Sequence, residues 1–116
     1  MKRKAKRDET AVPFVMGSAN VFEDLGLPNA DELLVKADLA HAINARIKAR
    51  GLTQVEAAAH TGLTQPEISK IGSMRTSGFS QERLQNALRL LGADLIIQYH
   101  NREDQSVGTI RVLELA

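Results

Sequence analysis

The sequence predicts a mainly helical fold: a bundle of four to five short helices followed by a C-terminal β-hairpin. Three observations carry that expectation. Apolar residues recur at steps of three and four over residues 31–50. Two threonine–glutamate capping signatures follow, at Thr53-Gln54-Val55-Glu56 and Thr64-Gln65-Pro66-Glu67. Beyond Gly92 the pattern becomes β-branched or alternating.

The elements can be justified in order. Residues 1–17 hold a charge run and Pro13 without any period, and read as a mobile arm. Val21, Phe22, Leu25 and Leu27 suggest a short helical turn over 20–27, closed by Pro28. In the helix over 31–50, Leu33, Ala37, Ala40, Ile43 and Ile47 share one face, and Gly51 supplies its left-handed stop. The capping signatures delimit helices over about 53–60 and 64–71. Pro66 falls in the first turn of the second, where a missing N–H costs little. Gly62 gives the turn between them its left-handed residue. Residues 73–78 form a loop. Ser80 caps a further helix, with Leu84, Ala87, Leu88 and Leu91 inward and Gly92 at its end. Residues 95–99 and 109–115 read as strands around a polar connection. A lone ribbon is marginal in water, so it must pack on a helix or pair with a second copy, which points to dimerisation. The division is thus an arm at 1–17, a helical domain at 18–93 and a dimerising hairpin at 94–116.

Composition narrows the class. The chain has 116 residues, 43% of them hydrophobic, which suits one globular domain. No apolar run approaches the roughly 20 residues of a membrane helix, and no secretory signal follows the basic start. The absence of cysteine removes disulfides, thiol catalysis and thiolate metal sites, and fits a cytoplasmic location. Net charge is +1, but Lys2, Arg3, Lys4, Lys6 and Arg7 are five of the 15 basic residues. The remaining ten basic residues face 14 acidic ones, so a basic arm is attached to a body of net −4. Such an arm suits an anionic partner, or is simply a solvated tail.

Residues 54–73 match a helix-turn-helix. Counting from Gln54, a small residue (Ala58) stands at position five, where the two helices touch. Gly62 stands at the turn, and Ile68 and Ile71 anchor the second helix, with Leu52 and Leu63 extending that core. A plain bundle leaves unexplained the polar, amide-rich outward face: Thr64, Gln65, Pro66, Glu67, Ser69 and Lys70. In this motif the second helix enters the major groove of double-stranded DNA by its N-terminal end. Gln65 can bond adenine N6 and N7, and Lys70 can reach guanine or a phosphate. Ser69 can bond several base edges, and Pro66 can meet a thymine methyl. Glu67 either belongs to the capping box or accepts from cytosine N4. Gln54 and Thr64 suit phosphate at helix starts, and Arg75, Thr76 and Ser77 a phosphate clamp on the following loop. Lys70 and Arg75 also have the bland reading of solubilising charges. Residues 53–79 carry Glu56, Glu67, Lys70 and Arg75 and are neutral overall. Phosphate neutralisation supplies much of DNA affinity, so the arm (Lys2, Arg3, Lys4, Lys6, Arg7) is the candidate source of attraction, through the minor groove.

The series Leu52-Thr53-Gln54, Gly62-Leu63-Thr64-Gln65 and Ile68-Ser69 resembles the phage-repressor-like (XRE/Cro) helix-turn-helix family. Asn20-Val21-Phe22-Glu23-Asp24-Leu25-Gly26-Leu27, Glu32-Leu33-Leu34-Val35-Lys36-Ala37-Asp38-Leu39 and Gly78-Phe79-Ser80 look closest to its HigA-type antitoxin branch. The similarity spans about residues 18–100. It implies a phage-repressor-like bundle and a homodimeric repressor, often encoded beside a RelE-like ribonuclease toxin that it neutralises. It also implies phosphate contact at Gln54 and adenine contact at Gln65. The chain departs from that branch in the acidic Glu67, and in ending its second motif helix Ile71-Gly72-Ser73-Met74-Arg75 where Leu-x-x-Gly is usual.

A sequence-specific repressor, autoregulating as an antitoxin, is therefore the leading expectation. Its alternatives are a protein-interaction module that chiefly masks a toxin, and a stand-alone regulator without one. An enzyme is a distant third. His41, His60 and His100 lie on separate elements without metal-ligand spacing, no phosphate-cradling glycine loop is present, and no carboxylate pair is marked. No metal or cofactor is expected.

Overall fold

Helix α1 spans Ala30–Ala49, α2 Gln54–Thr61, α3 Gln65–Gly72 and α4 Gln81–Leu90. The structure, a computed structural model, describes residues 25–26 and 29–115. The basic arm and most of the expected helical turn at 20–27 lie outside the described residues.

Local chemistry accounts for the helix boundaries. Thr53 and Thr64 each accept the backbone N–H of the glutamate three residues on, and Glu56 and Glu67 return the bond to the cap N–H. Both predicted capping boxes therefore close, each satisfying two backbone donors that a helix start otherwise leaves to water. Ser80 caps α4 through the N–H of Arg83. Gly51 and Gly62 turn the chain after α1 and α2 at φ 66° and 75°, a region where a Cβ is strained.

The core lies between α1 and α4 and is closed by the end of α3. Val35, Leu39, Ala40, Ile43, Ile71, Phe79, Leu84, Ala87, Leu88 and Leu91 form one buried cluster, with Ile47, Leu52 and Leu63 packed at its margin. The expected inward face of α4 is the observed one. On α1 the face is rotated. Val35 and Leu39 are buried beside Ala40 and Ile43, whereas Leu33 and Ala37 are only half-buried. In the first half of α1, Leu33, Leu34, Val35, Ala37 and Leu39 interleave with Asp31, Glu32, Lys36 and Asp38, so its period leaves the buried stripe open and packing against α4 selects it.

The expected C-terminal hairpin does not form. Among the described residues there is no strand, and 94–115 run irregularly past a bend at 103–104. Leu95 and Val112 still pack against the core margin. Asp38 on α1 binds the returning chain: its carboxylate accepts Arg111 Nε at 2.9 Å, Arg111 Nη2 at 3.1 Å and the Val112 N–H at 3.1 Å. A charged acceptor on a preformed helix is a stronger partner than one neutral strand across an eight-residue polar connection.

Candidate nucleic-acid interface

The candidate interface is built on α3 and the ends of its neighbours. Ile68 and Ile71 are buried, as the motif requires. On α2 Ala57 is fully buried, while Ala58, the small residue expected at the contact with α3, is half-buried. Thr61 is buried too, its hydroxyl donating to the Ala57 carbonyl at 2.8 Å and accepting the Leu63 N–H at 3.2 Å. Those bonds brace the turn into α3.

With the isoleucines inward, α3 turns its polar side out. Thr64, Gln65, Pro66 and Lys70 are exposed and Ser69 is half-buried. Gln54 is exposed at the first turn of α2, and Arg75 and Ser77 are exposed on the loop after α3. Thr76 differs from the expectation of a phosphate contact. It is buried, and its carbonyl accepts the Phe79 N–H at 3.0 Å. Thr76 shapes the loop from inside while Arg75 and Ser77 face out. Lys2, Arg3, Lys4, Lys6 and Arg7 lie outside the described residues.

Glu67 is held twice. Its Oε1 accepts the Thr64 N–H at 3.0 Å, and its Oε2 accepts Arg83 Nη2 at 2.8 Å. The Thr64 N–H, and after it Arg83, hold the Glu67 carboxyl below the usual glutamate range. The capping reading of Glu67 is thus the one its geometry favours over an acceptor for cytosine. The Arg83 guanidinium also lies over the Phe79 ring, 5.1 Å from its centre.

Arg83 and Asn44 shape this interface although neither belongs to the motif. Asn44, on α1, donates its Nδ2 at 2.9 Å to the Ile71 carbonyl, which also accepts the Met74 N–H at 2.9 Å, and so ties the last turn of α3 to α1. Both acts occur between distant parts of the chain, and no local spacing marks them. Met74 follows α3 at φ 61°, a left-handed conformation where the related pattern carries glycine.

The histidines stand apart. His41 is on α1, His60 on α2 and His100 in the C-terminal segment, all exposed. Among the described residues no helix is long and apolar enough to cross a membrane.

Comparison with known proteins decides the family. The model of a helix-turn-helix domain family matches residues 21–99. The chain belongs to this helix-turn-helix family. A solved structure named as an XRE-family transcriptional regulator is similar at 36% identity and a TM-score of 0.66. The match covers 77% of this chain and 99% of that one. No curated protein matches. The helix-turn-helix match begins at Val21 and runs to Tyr99, so it takes in α1 to α4 and the first part of the C-terminal segment.

Proposed function

We propose that this protein is a dimeric, sequence-specific DNA-binding repressor that reads an operator with α3. One observation carries the reading. Ile68 and Ile71 pin one side of α3 into the core, and Gln65, Pro66, Ser69 and Lys70 stand on its other side. A short helix that shows an amide, a proline surface, a hydroxyl and a cation can match base edges in a major groove. The likeness to a protein named as a transcriptional regulator supports the same reading.

Phosphate contacts are assigned to Gln54, Thr64, Arg75 and Ser77, with residues 2–7 as a basic arm. The Glu67–Arg83 pair removes one negative charge from the DNA-facing surface, which eases the neutrality of the motif. Because one motif is short and nearly neutral, a second subunit about 34 Å away, one duplex turn, supplies the remaining affinity. Residues 94–116 are the dimerising segment in this reading.

The finer role is that of a HigA-like antitoxin that represses its own operon and neutralises a RelE-like ribonuclease. It rests on the resemblance at Asn20-Val21-Phe22-Glu23-Asp24-Leu25-Gly26-Leu27 and Gly78-Phe79-Ser80. The test is a gel shift against the DNA upstream of the protein's own gene, beside an unrelated duplex at the same salt. A shift of the upstream DNA at concentrations that leave the unrelated duplex free supports the repressor. Equal shifts of both overturn it. Rescue of growth when the protein is co-expressed with a neighbouring ribonuclease gene tests the antitoxin role separately.

A further inference from the structure

Apolar exposure is concentrated in one place. Among the described residues eleven large hydrophobic side chains are exposed, and seven of them lie between Ile96 and Leu115. Ile97 is 93% exposed, Val107 91% and Tyr99 86%. This segment is not a trailing end. Leu95 packs on the core at its start, and Arg111 and Val112 are bound to Asp38 near its finish. Among the described residues no backbone–backbone hydrogen bond reaches residues 94–110. The segment is therefore held against the bundle at both ends while it shows water a row of apolar side chains and, over 94–102, backbone groups without a backbone partner among the described residues. A surface of that kind is a template for strand addition.

We infer that a second copy of this chain covers it, by antiparallel pairing of residues 94–102 about a two-fold axis at Gln98. The inference rests on the dimeric reading above and specifies its contact. In antiparallel two-fold pairing, residues equally far on either side of the axis face one another. An axis at Gln98 sets Asp94 against the partner's Arg102, and by symmetry does so twice. It sets Ile97 against the partner's Tyr99, an apolar–aromatic pair of the kind that stabilises sheets. Gln98 meets its own copy, where one amide can donate to the other. Neighbouring registers are poorer. An axis at Ile97 leaves Arg102 opposite Gly92, and an axis at Tyr99 sets Asp94 against Asp104, two like charges. Asp94 and Arg102 are both exposed, and Arg102 gives up only a surface bond to the Ser106 hydroxyl. A lone ribbon is marginal, but here each strand is seated on its own bundle through Leu95.

The full-length chain supports a direct test. It contains no cysteine, so Gln98→Cys introduces a single thiol. Facing Cα atoms in an antiparallel pair are about 4.5–5.5 Å apart, within disulfide reach. Mild oxidation of Gln98→Cys should give a covalent dimer on a non-reducing gel, and Ala45→Cys on the exposed side of α1 should not. Asp94→Arg and Arg102→Asp should each weaken self-association about tenfold or more. Mixed in equal amounts, the two variants should associate with each other as strongly as the wild type, because each supplies the charge the other lacks. That recovery cannot come from a folding defect.

A wild-type chain that sediments as a monomer at micromolar concentration overturns this inference and the dimeric reading together. A dimer indifferent to both charge reversals, with Gln98→Cys uncrosslinked, overturns the register and leaves dimerisation standing. A monomer with slow amide exchange at residues 95–99 identifies another part of the same chain as the cover, which also overturns it. Loss of operator binding by an intact dimer, read in a parallel gel shift, bears on the DNA reading alone.

Discussion

Arg83 of α4 donates its Nη2 to Glu67 Oε2 of α3 at 2.8 Å, and this contact sets the charge on the outward side of α3, the helix proposed to read DNA. With the pair formed, the exposed cation of α3 is Lys70, without an uncompensated carboxylate one turn away. Arg83→Ala should lower affinity for all duplexes alike, by about three- to tenfold, because an unscreened Glu67 then faces phosphate. Glu67→Gln in that background should restore binding. Titrations of the wild type, the single variant and the double variant on specific and unrelated duplexes measure this. A loss confined to one base position would show that Arg83 reads sequence instead.

Gln65 is exposed at the start of α3 and is the strongest candidate for a base contact. Gln65→Ala should cost roughly 1–3 kcal/mol on the operator and leave non-specific binding nearly unchanged. Substituting each operator position in turn should show the penalty at a single adenine. Uniform loss over every sequence would assign Gln65 to the phosphate backbone.

Residues 2–7 carry five basic side chains on a chain whose other residues sum to −4. Their deletion should weaken DNA binding and flatten its dependence on salt, since each phosphate neutralised adds close to one to the slope of log K against log salt. An unchanged slope would mean that the arm does not touch DNA.

Acid stability should follow the capping boxes. The Thr53 N–H holds the Glu56 carboxyl below its ordinary value, and the Thr64 N–H with Arg83 does the same for Glu67. A carboxylate depressed in the folded state contributes stability above its unfolded pKa, about 4.3, and loses it as pH falls through the lower folded value. Thermal unfolding should therefore become easier below that range. The double variant Glu56→Gln/Glu67→Gln should be less stable at neutral pH, with a shallower decline in acid. Parallel declines for the two proteins would place the acid sensitivity elsewhere.

Met74 adopts φ 61° immediately after α3, a conformation that costs a residue with a Cβ roughly 1–2 kcal/mol. Part of that is recovered by the contact of Asn44 Nδ2 with its sulfur at 3.7 Å. Met74→Gly should raise stability by about 0.5–1 kcal/mol in urea denaturation. A decrease would mean that the sulfur contact outweighs the strain.

The helix-turn-helix was legible because its determinants are local. Thr53 with Glu56, Thr64 with Glu67, and glycine at 62 act within a few residues, and they give boundaries in the sequence that lie within one residue of those in the fold. The inward face of α4 was legible for a related reason: polar residues flank Leu84, Ala87, Leu88 and Leu91 and leave one stripe to bury. On α1 that contrast is missing, and the stripe through Val35 and Leu39 exists only because α4 packs there. The β-like pattern after Gly92 was correct about composition and wrong about a hairpin within the chain.

The sequence alone determined the order of helices, their caps and the polar identity of the surface on α3, since all of these follow from contacts between near neighbours in the chain. Tertiary structure decided what each polar group does. Arg83 reaches Glu67 across 16 residues, Asn44 reaches Ile71 across 27, and Arg111 reaches Asp38 across 73. Each contact joins elements whose relative placement is set by burial of the common core. Hydrophobic burial is non-directional, so the sequence pattern says that α1 and α4 must meet but not which charged or amide groups then come within hydrogen-bonding distance.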